Sequence, residues 1–309
     1  MPATLTKPKA LKPGDHIRVV TPASAVRPDQ IEDAVKLLQD EGYKVTFGKH
    51  LHSKHGYLGG TDEERSADLM EAFTDPEVDC VMCSRGGYGC ARLFPHLDLD
   101  KIAESGKMFC GFSDVTTLHL ALNRRGLVTF HTPMPITLSV QREPYVYESF
   151  LNLLKGEAKV PDSAPKAVTL NPGKAEGTLT GGCLCLLCDS VGTLDAIDTE
   201  GKVLIIEDVD EHGYRVDALL THLLNIGQLQ KAAGVVIGEM TNTDEKRDPK
   251  IDSWAWREIV KDRLGDLDIP IMIDFPFGHA KNMLSVPMNV KVRMDADAGT
   301  LEFLESPCS

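Results

Sequence analysis

Between Lys107 and Arg125 an apolar run, Met108-Phe109-Cys110, stops at Gly111-Phe112-Ser113-Asp114, and apolar residues at helical spacing follow from Val115 to Asn123. The local reading is strand, tight turn, helix, with Ser113 at the corner. A hydroxyl held there projects from the carboxyl edge of a sheet, and the N–H groups of the first helical turn face whatever it attacks. A nucleophile and an oxyanion site can then share one turn. Serine is equally a favoured N-cap, so the corner alone also fits a purely structural role.

A second chemical stretch, Ser84-Arg85-Gly86-Gly87-Tyr88-Gly89, follows the apolar run from Val78 to Ser84. Three glycines in four positions let backbone approach a ligand closely and leave N–H groups unencumbered. The stretch lacks both the dinucleotide fingerprint and the lysine of a P-loop. If both runs belong to one parallel sheet, this loop and the Ser113 corner face one crevice, where Gly87 N–H and Asp114 N–H are candidate oxyanion donors. Arg85 and Gly86 are candidate substrate contacts: the planar fork of Arg85 suits a carboxylate, and it suits bridging two loops as well.

Two further residues carry proton chemistry. Glu207 ends the apolar run Val203-Leu204-Ile205-Ile206, where a partly buried carboxylate can orient a histidine. With Asp208, Asp210 and Glu211 nearby it also reads as a solvated acidic turn. His279 sits between Gly278 and Ala280, small neighbours that leave the imidazole accessible, and its pKa near neutrality allows it to accept and return a proton. A lone loop histidine is also commonly incidental. His131, at the end of Val128–His131, either lines the crevice or satisfies backbone groups at a strand end, and the second is the simpler reading.

The elements that must position these residues follow from periodicity. Strands are expected at His16–Thr21, Tyr43–Phe47, Val78–Ser84 and Val128–His131, with helices at Gln30–Glu41, from the capping box Thr61-Asp62-Glu63-Glu64 to Phe73, from Cys90 towards Phe94, and at Tyr145–Leu154. Alternation of this kind predicts βαβ units and a mostly parallel sheet. Gly156–Pro165 is linker-like. Beyond it come β-like segments at Ala167–Leu170 and Gly177–Thr180, a cysteine-bearing helix, the strand ended by Glu207, and a helix at Tyr214–Gly227. A strand at Val235–Ile237, a charged surface loop at Asp244–Lys250, a helix at Ser253–Leu264 and a strand at Pro270–Asp274 follow. Two closing β-like runs, Val290–Met294 and Thr300–Phe303, give this half a partly antiparallel character. The expected fold is α/β: an N-terminal, mostly parallel-sheet domain (1–155), a linker (156–172) and a smaller β-rich C-terminal domain (173–309).

Bulk properties narrow the function. The 309 residues are 42% apolar and 26% charged, ordinary globular values. A net charge of −13 opposes general nucleic-acid binding, which needs clustered Lys and Arg. No run is long and apolar enough to span a bilayer and Met1–Pro13 has no apolar core, so a cytoplasmic address is expected. The eight cysteines read as reduced and mostly buried. Cys80 and Cys83, three apart in a strand, point to opposite faces. Cys183, Cys185 and Cys188 are the best metal candidates, but on a helix they read more simply as small buried hydrophobes. No metal or cofactor is therefore expected, and no His-Glu-x-x-His arrangement suggests a metallopeptidase.

Four blocks in order, Ser84–Gly89, Gly111–Asp114, Ile206–Asp208 and Phe277–His279, resemble the signatures of the LD-carboxypeptidases, serine peptidases of bacterial murein recycling. The similarity runs from the first strand to near the C-terminus. It implies Ser113 as nucleophile, His279 as general acid and base, and Glu207 as the residue that orients His279. It also implies an α/β N-terminal domain, a smaller β-rich C-terminal domain supplying Glu207 and His279, an active site between them, a homodimer, and no metal. The implied substrate is a murein tetrapeptide that loses its terminal D-alanine. Cys183 stands where Gly-Gly-Asn is common in the family, Thr132 where a glycine often follows, and Pro287-Met288-Asn289 lacks a usual glycine. Two other readings remain open: an immunity-type peptidase of the same family acting on a peptide-nucleotide antibiotic, and a non-catalytic two-domain small-molecule binding protein.

Overall fold

The computed structural model describes residues 4–248, 250 and 253–309. Met1–Ala3 of the leader and Pro249 of the charged loop lie outside the described residues. The chain divides into two compact units, Met1–Lys159 with Ser285–Asn289 and Ser306–Ser309, and Val160–Leu284 with Val290–Glu305.

In the first unit β1 (His16–Val20), β2 (Lys44–Phe47), β3 (Cys80–Cys83), β4 (Met108–Gly111) and β5 (Thr129–His131) pair in parallel in the order β5-β4-β3-β1-β2. β3 and β4 are buried along their whole length, which explains why they read as unbroken apolar runs rather than alternating ones. The order reverses between β1 and β3, so the loops leaving their carboxyl ends open a crevice there. The helix Asp62–Thr74 starts at the expected capping box: Glu64 N–H donates to Thr61 Oγ1 at 3.2 Å and Thr61 N–H to Glu64 Oε2 at 2.9 Å.

The second unit has β6 (Val168–Asn171), β7 (Lys174–Cys183), β8 (Val203–Val209), β9 (Gly234–Thr241) and β10 (Ile271–Ile273). The strands β7, β8, β9 and β10 run parallel, and β6 pairs antiparallel with β10. Beyond β10 the chain supplies β11 (Val286–Met288), which pairs antiparallel with β5 in the first unit. It then returns to the second unit as β12 (Lys291–Asp295) and β13 (Thr300–Phe303), antiparallel additions beside β7. The two-domain α/β class expected from the sequence is therefore what the chain adopts.

Two local expectations change. Glu207 does not terminate its strand: β8 continues to Val209, and its register with β9 shifts between Ile206 and Asp208 because β9 carries an extra residue there. Cys183 is not helical but closes β7, opposite Glu207, while Cys185 and Cys188 lie on the short helix Leu184–Asp189. β8 is buried on both faces, and so is β7 from Leu179 to Cys183, so neither shows alternation there.

Candidate active site

The glycine loop and the Ser113 corner meet in the first unit. β3 and β4 are hydrogen-bonded neighbours, so Ser84–Gly89 and Phe112–Asp114 leave the sheet side by side. A Cβ added to Gly86 would lie 2.8 Å from Ser113 Cβ and 2.9 Å from its Oγ, so only a glycine lets the two backbones approach this closely. The Asp114 carboxylate accepts the Cys90 N–H at 2.8 Å, tying the corner to the far end of the same loop. Gly87, with φ +113°, lies within it.

Ser113 itself has φ +66°, in the left-handed region that non-glycine residues avoid at a cost of roughly 1–2 kcal/mol. An N-cap takes an extended backbone, and here the residue before the short turn Ser113–Val115 has that conformation instead. The geometry is thus that of a sharp strand-to-helix corner that aims a hydroxyl, rather than of a cap.

Three residues that periodicity did not single out hold this corner and the glycine loop. Ser24, in the loop after β1, donates its N–H to Gly86 O at 3.3 Å and accepts the Tyr88 N–H on Oγ, also at 3.3 Å. Arg65, buried on the helix Asp62–Thr74, donates from Nη1 to Gly89 O at 3.0 Å and to Pro22 O, joining the β1 loop to the glycine loop. His119 donates from Nε2 to Gly111 O at 2.9 Å and accepts at Nδ1 from Thr129 Oγ1 at 2.8 Å. That tautomer follows from the carbonyl, which can only accept. Burial drives its pKa down to about 4. Of the three only His119, set between Leu118 and Leu120, carried a signal in the sequence, a polar residue in an apolar setting.

Arg85 donates to Ala25 O at 3.1 Å and to Gly86 O at 3.3 Å, so it bridges two loops, and burial lowers its pKa. His131 is buried at the end of β5, its ring 5.5 Å from that of Phe112.

Glu207 and His279 come together in the second unit. The loop after β10 is laid along β9 by Phe275 N–H to Ile237 O at 3.1 Å and Glu239 N–H to Phe277 O at 3.4 Å. Gly278, at φ +97°, then passes against Glu207 so closely that a Cβ would sit 2.5 Å from its Oε2. His279 follows with Nδ1 2.7 Å from Glu207 Oε2, and its N–H reaches the same oxygen at 3.3 Å. Nδ1 is the donor in that contact, which leaves Nε2 of the neutral ring as a proton acceptor. Burial opposes the imidazolium, yet the Coulomb attraction and hydrogen bond of fully buried Glu207 outweigh it, and the His279 pKa is raised. The acidic-turn reading of Glu207 does not fit a carboxylate with no exposure.

The same unit gathers a second polar cluster. Cys183, Cys185 and Asp208 bring their ligand-capable atoms within 4.8 Å of one another, whereas Cys188 turns its Sγ to Leu219 O at 3.4 Å. Burial, followed by the charge of Glu207, pushes the Asp208 carboxyl up to about 6. Among the described residues no disulfide joins the cysteines, six of which are buried.

Comparison with known proteins finds one family across both parts of the chain. Residues 17–132 match the LD-carboxypeptidase N-terminal domain and residues 176–294 its C-terminal domain. The chain is 38% identical to the probable murein peptide carboxypeptidase of Bacillus subtilis, over 94% of this chain and 91% of that one. It is 27% identical to the microcin C7 self-immunity protein MccF of Escherichia coli, over 92% and 90%. The crystal structure of muramoyltetrapeptide carboxypeptidase from Oxalobacter formigenes superposes with a TM-score of 0.79 at 30% identity, covering 93% of this chain and 97% of that one. With both domains matched in order and across most of its length, this chain belongs to the LD-carboxypeptidase family.

Proposed function

We propose that this protein is a serine-type LD-carboxypeptidase that releases the terminal D-alanine from murein tetrapeptides. The observation that carries the reading is the buried Glu207 carboxylate holding Nδ1 of His279 at 2.7 Å, which sets the other ring nitrogen to act as a base. In the proposed reaction His279 Nε2 takes the Ser113 proton while Oγ bonds to the carbonyl carbon before the terminal residue. Charge on the carbonyl oxygen is met by Gly87 N–H and Asp114 N–H, each worth on the order of 3 kcal/mol to the transition state. The C–N bond breaks as His279 returns its proton to the departing amine. Water, deprotonated by the same imidazole, then cleaves the Ser113 ester. Arg85 and Gly86 are the proposed contacts for the substrate's carboxyl end. Mass spectrometry of murein tetrapeptide incubated with wild type and Ser113→Ala tests the scheme: loss of one D-alanine only with wild type supports it, and no turnover by wild type removes it.

The likeness to MccF favours a second reading, in which the same three residues cleave a peptide-nucleotide antibiotic. Parallel assays on a murein tetrapeptide and an aminoacyl sulfamoyl adenylate separate the two by kcat/KM. Retention of function in Ser113→Ala, with no labelling by a serine-directed acylating probe, would instead indicate a binding protein. Among the described residues no helix is long and apolar enough to cross a membrane. A cytoplasmic homodimer belongs to the same proposal, its mass measurable by sedimentation.

A further inference from the structure

We infer that Cys183, Cys185 and Asp208 form a binding site for one thiophilic divalent cation of the zinc and cadmium class. The two sulfurs lie 3.4 Å apart, and Cys183 Sγ lies 3.5 Å from Asp208 Oδ1. A tetrahedral zinc ion with ordinary bond lengths holds two sulfurs about 3.8 Å apart, and a sulfur and a carboxylate oxygen about 3.5 Å apart. Both distances from Cys183 therefore already stand within a few tenths of an ångström of coordinating values, and Cys185 Sγ lies within 4.8 Å of the Asp208 carboxylate. Two thiolates and one carboxylate select a soft, tetrahedral ion over magnesium or calcium, which want six or more oxygens.

The fold prepares these ligands for reasons unrelated to one another. Cys183 closes β7, Cys185 sits at the start of the helix Leu184–Asp189, and Asp208 lies on the neighbouring strand β8. Cys185 N–H donates to Asp208 Oδ2 and Val209 N–H to Oδ1, both at 2.8 Å, so the carboxylate is oriented before an ion arrives. Backbone donors of this kind hold ligating carboxylates in metal sites. The Cys183 thiol points at Oδ1, where an ion would replace its proton. Cys183 and Asp208 are buried, while Cys185 is half-buried and gives an ion its way in. Binding exchanges the two thiol protons for one M²⁺, with the carboxylate as third ligand and water as fourth. The only other close thiol pair among the described residues, Cys80 and Cys110 at 3.9 Å, is fully buried in the first unit.

The test is a titration of the chelator-treated, reduced full-length protein with Cd²⁺ under argon. We expect one equivalent to bind, with thiolate-to-cadmium charge-transfer absorption in the ultraviolet and release of protons. Cys185→Ala should abolish the absorption and Asp208→Asn should weaken binding by on the order of 10-fold or more. Cys188→Ala and Cys80→Ala should leave both intact, and far-UV circular dichroism checks the fold of each variant. Absorption that never develops in wild type, survives Cys185→Ala, or is indifferent to Asp208→Asn overturns the site. Because none of these readings depends on turnover, the outcome is independent of the proposed peptidase reaction.

Discussion

Oε2 of Glu207 accepts both the ring Nδ1–H of His279, at 2.7 Å, and the backbone N–H of the same residue, at 3.3 Å. One buried oxygen thereby fixes the ring's position and its tautomer. Because the pair raises the His279 pKa above its ordinary 6.5, the proposed base becomes fully neutral only above that pH, and the acid limb of kcat/KM should fall there. In Glu207→Gln only the charges of Asp208 and Asp210 still oppose the burial, so the limb should move to lower pH than in wild type while kcat drops by on the order of 10²–10⁴-fold. Stability follows the opposite sense. The ion pair contributes fully below the unfolded value and is lost as pH rises through the raised one. A pH–rate profile of the variant whose acid limb stays where wild type has it would contradict this assignment.

Gly86→Ala is expected to spare the fold and damage the reaction. The new methyl would lie 2.8–2.9 Å from Ser113 Cβ and Oγ and 3.3 Å from Asp114 N, so the corner must shift by a few tenths of an ångström or more. A displacement approaching about 1 Å at the proposed nucleophile costs on the order of 10²-fold in rate, and the loss in Gly86→Ala should reach up to that size. Unfolding curves and single-turnover acylation, measured side by side, check it; acylation at the wild-type rate would show that the loop does not abut the reacting atoms.

How much of this was legible beforehand depends on the range over which each signal acts. The Ser113 corner and the Thr61 capping box are local, written in a dozen consecutive residues, and the structure has strand, turn and helix where the pattern put them. Ser24 and Arg65 matter only because β1 and β3 are neighbours, a fact of strand order that no window contains. Glu207 was misjudged as the end of its strand because a centrally placed parallel strand shows no alternation, and its bulge arises from an extra residue on β9, about 30 positions away. The cluster of Cys183 and Cys185 took Asp208 from the adjacent strand, where spacing alone had favoured Cys188.

Arg65 joins two loops from beneath, and its removal should loosen both. Arg65→Leu leaves Pro22 O and Gly89 O without their donor and takes one partner from Asp62, which keeps Arg92 at 2.8 Å. The expected loss is about 2–4 kcal/mol of stability, with hydrogen exchange accelerated at Ser84–Gly89 ahead of the sheet. Uniform exchange across the first unit would mean that Arg65 supports the core at large and not the loop.

His119 makes the first unit acid-sensitive. Asn123 Nδ2 donates to Thr129 Oγ1 at 2.9 Å, Thr129 donates to His119 Nδ1, and His119 Nε2–H ends on Gly111 O, two residues before Ser113. Each hydrogen in this chain is used once, and a second proton on the ring would force the Thr129 hydroxyl to turn its hydrogen away from Nδ1 and lose that acceptor. Burial alone already disfavours the charged ring and takes its pKa to about 4 from 6.5. A depressed folded-state pKa contributes stability that is complete above the unfolded value and lost as pH falls through the folded one. Between pH 6.5 and 4 the loss should approach on the order of 3 kcal/mol. In His119→Leu the urea midpoint should fall less steeply over that interval than in wild type, by the equivalent of one proton, whatever its absolute stability. An NMR titration finding His119 protonated near pH 6 in the folded protein would refute the neutral-ring arrangement and with it the hydrogen-bond directions that anchor the corner.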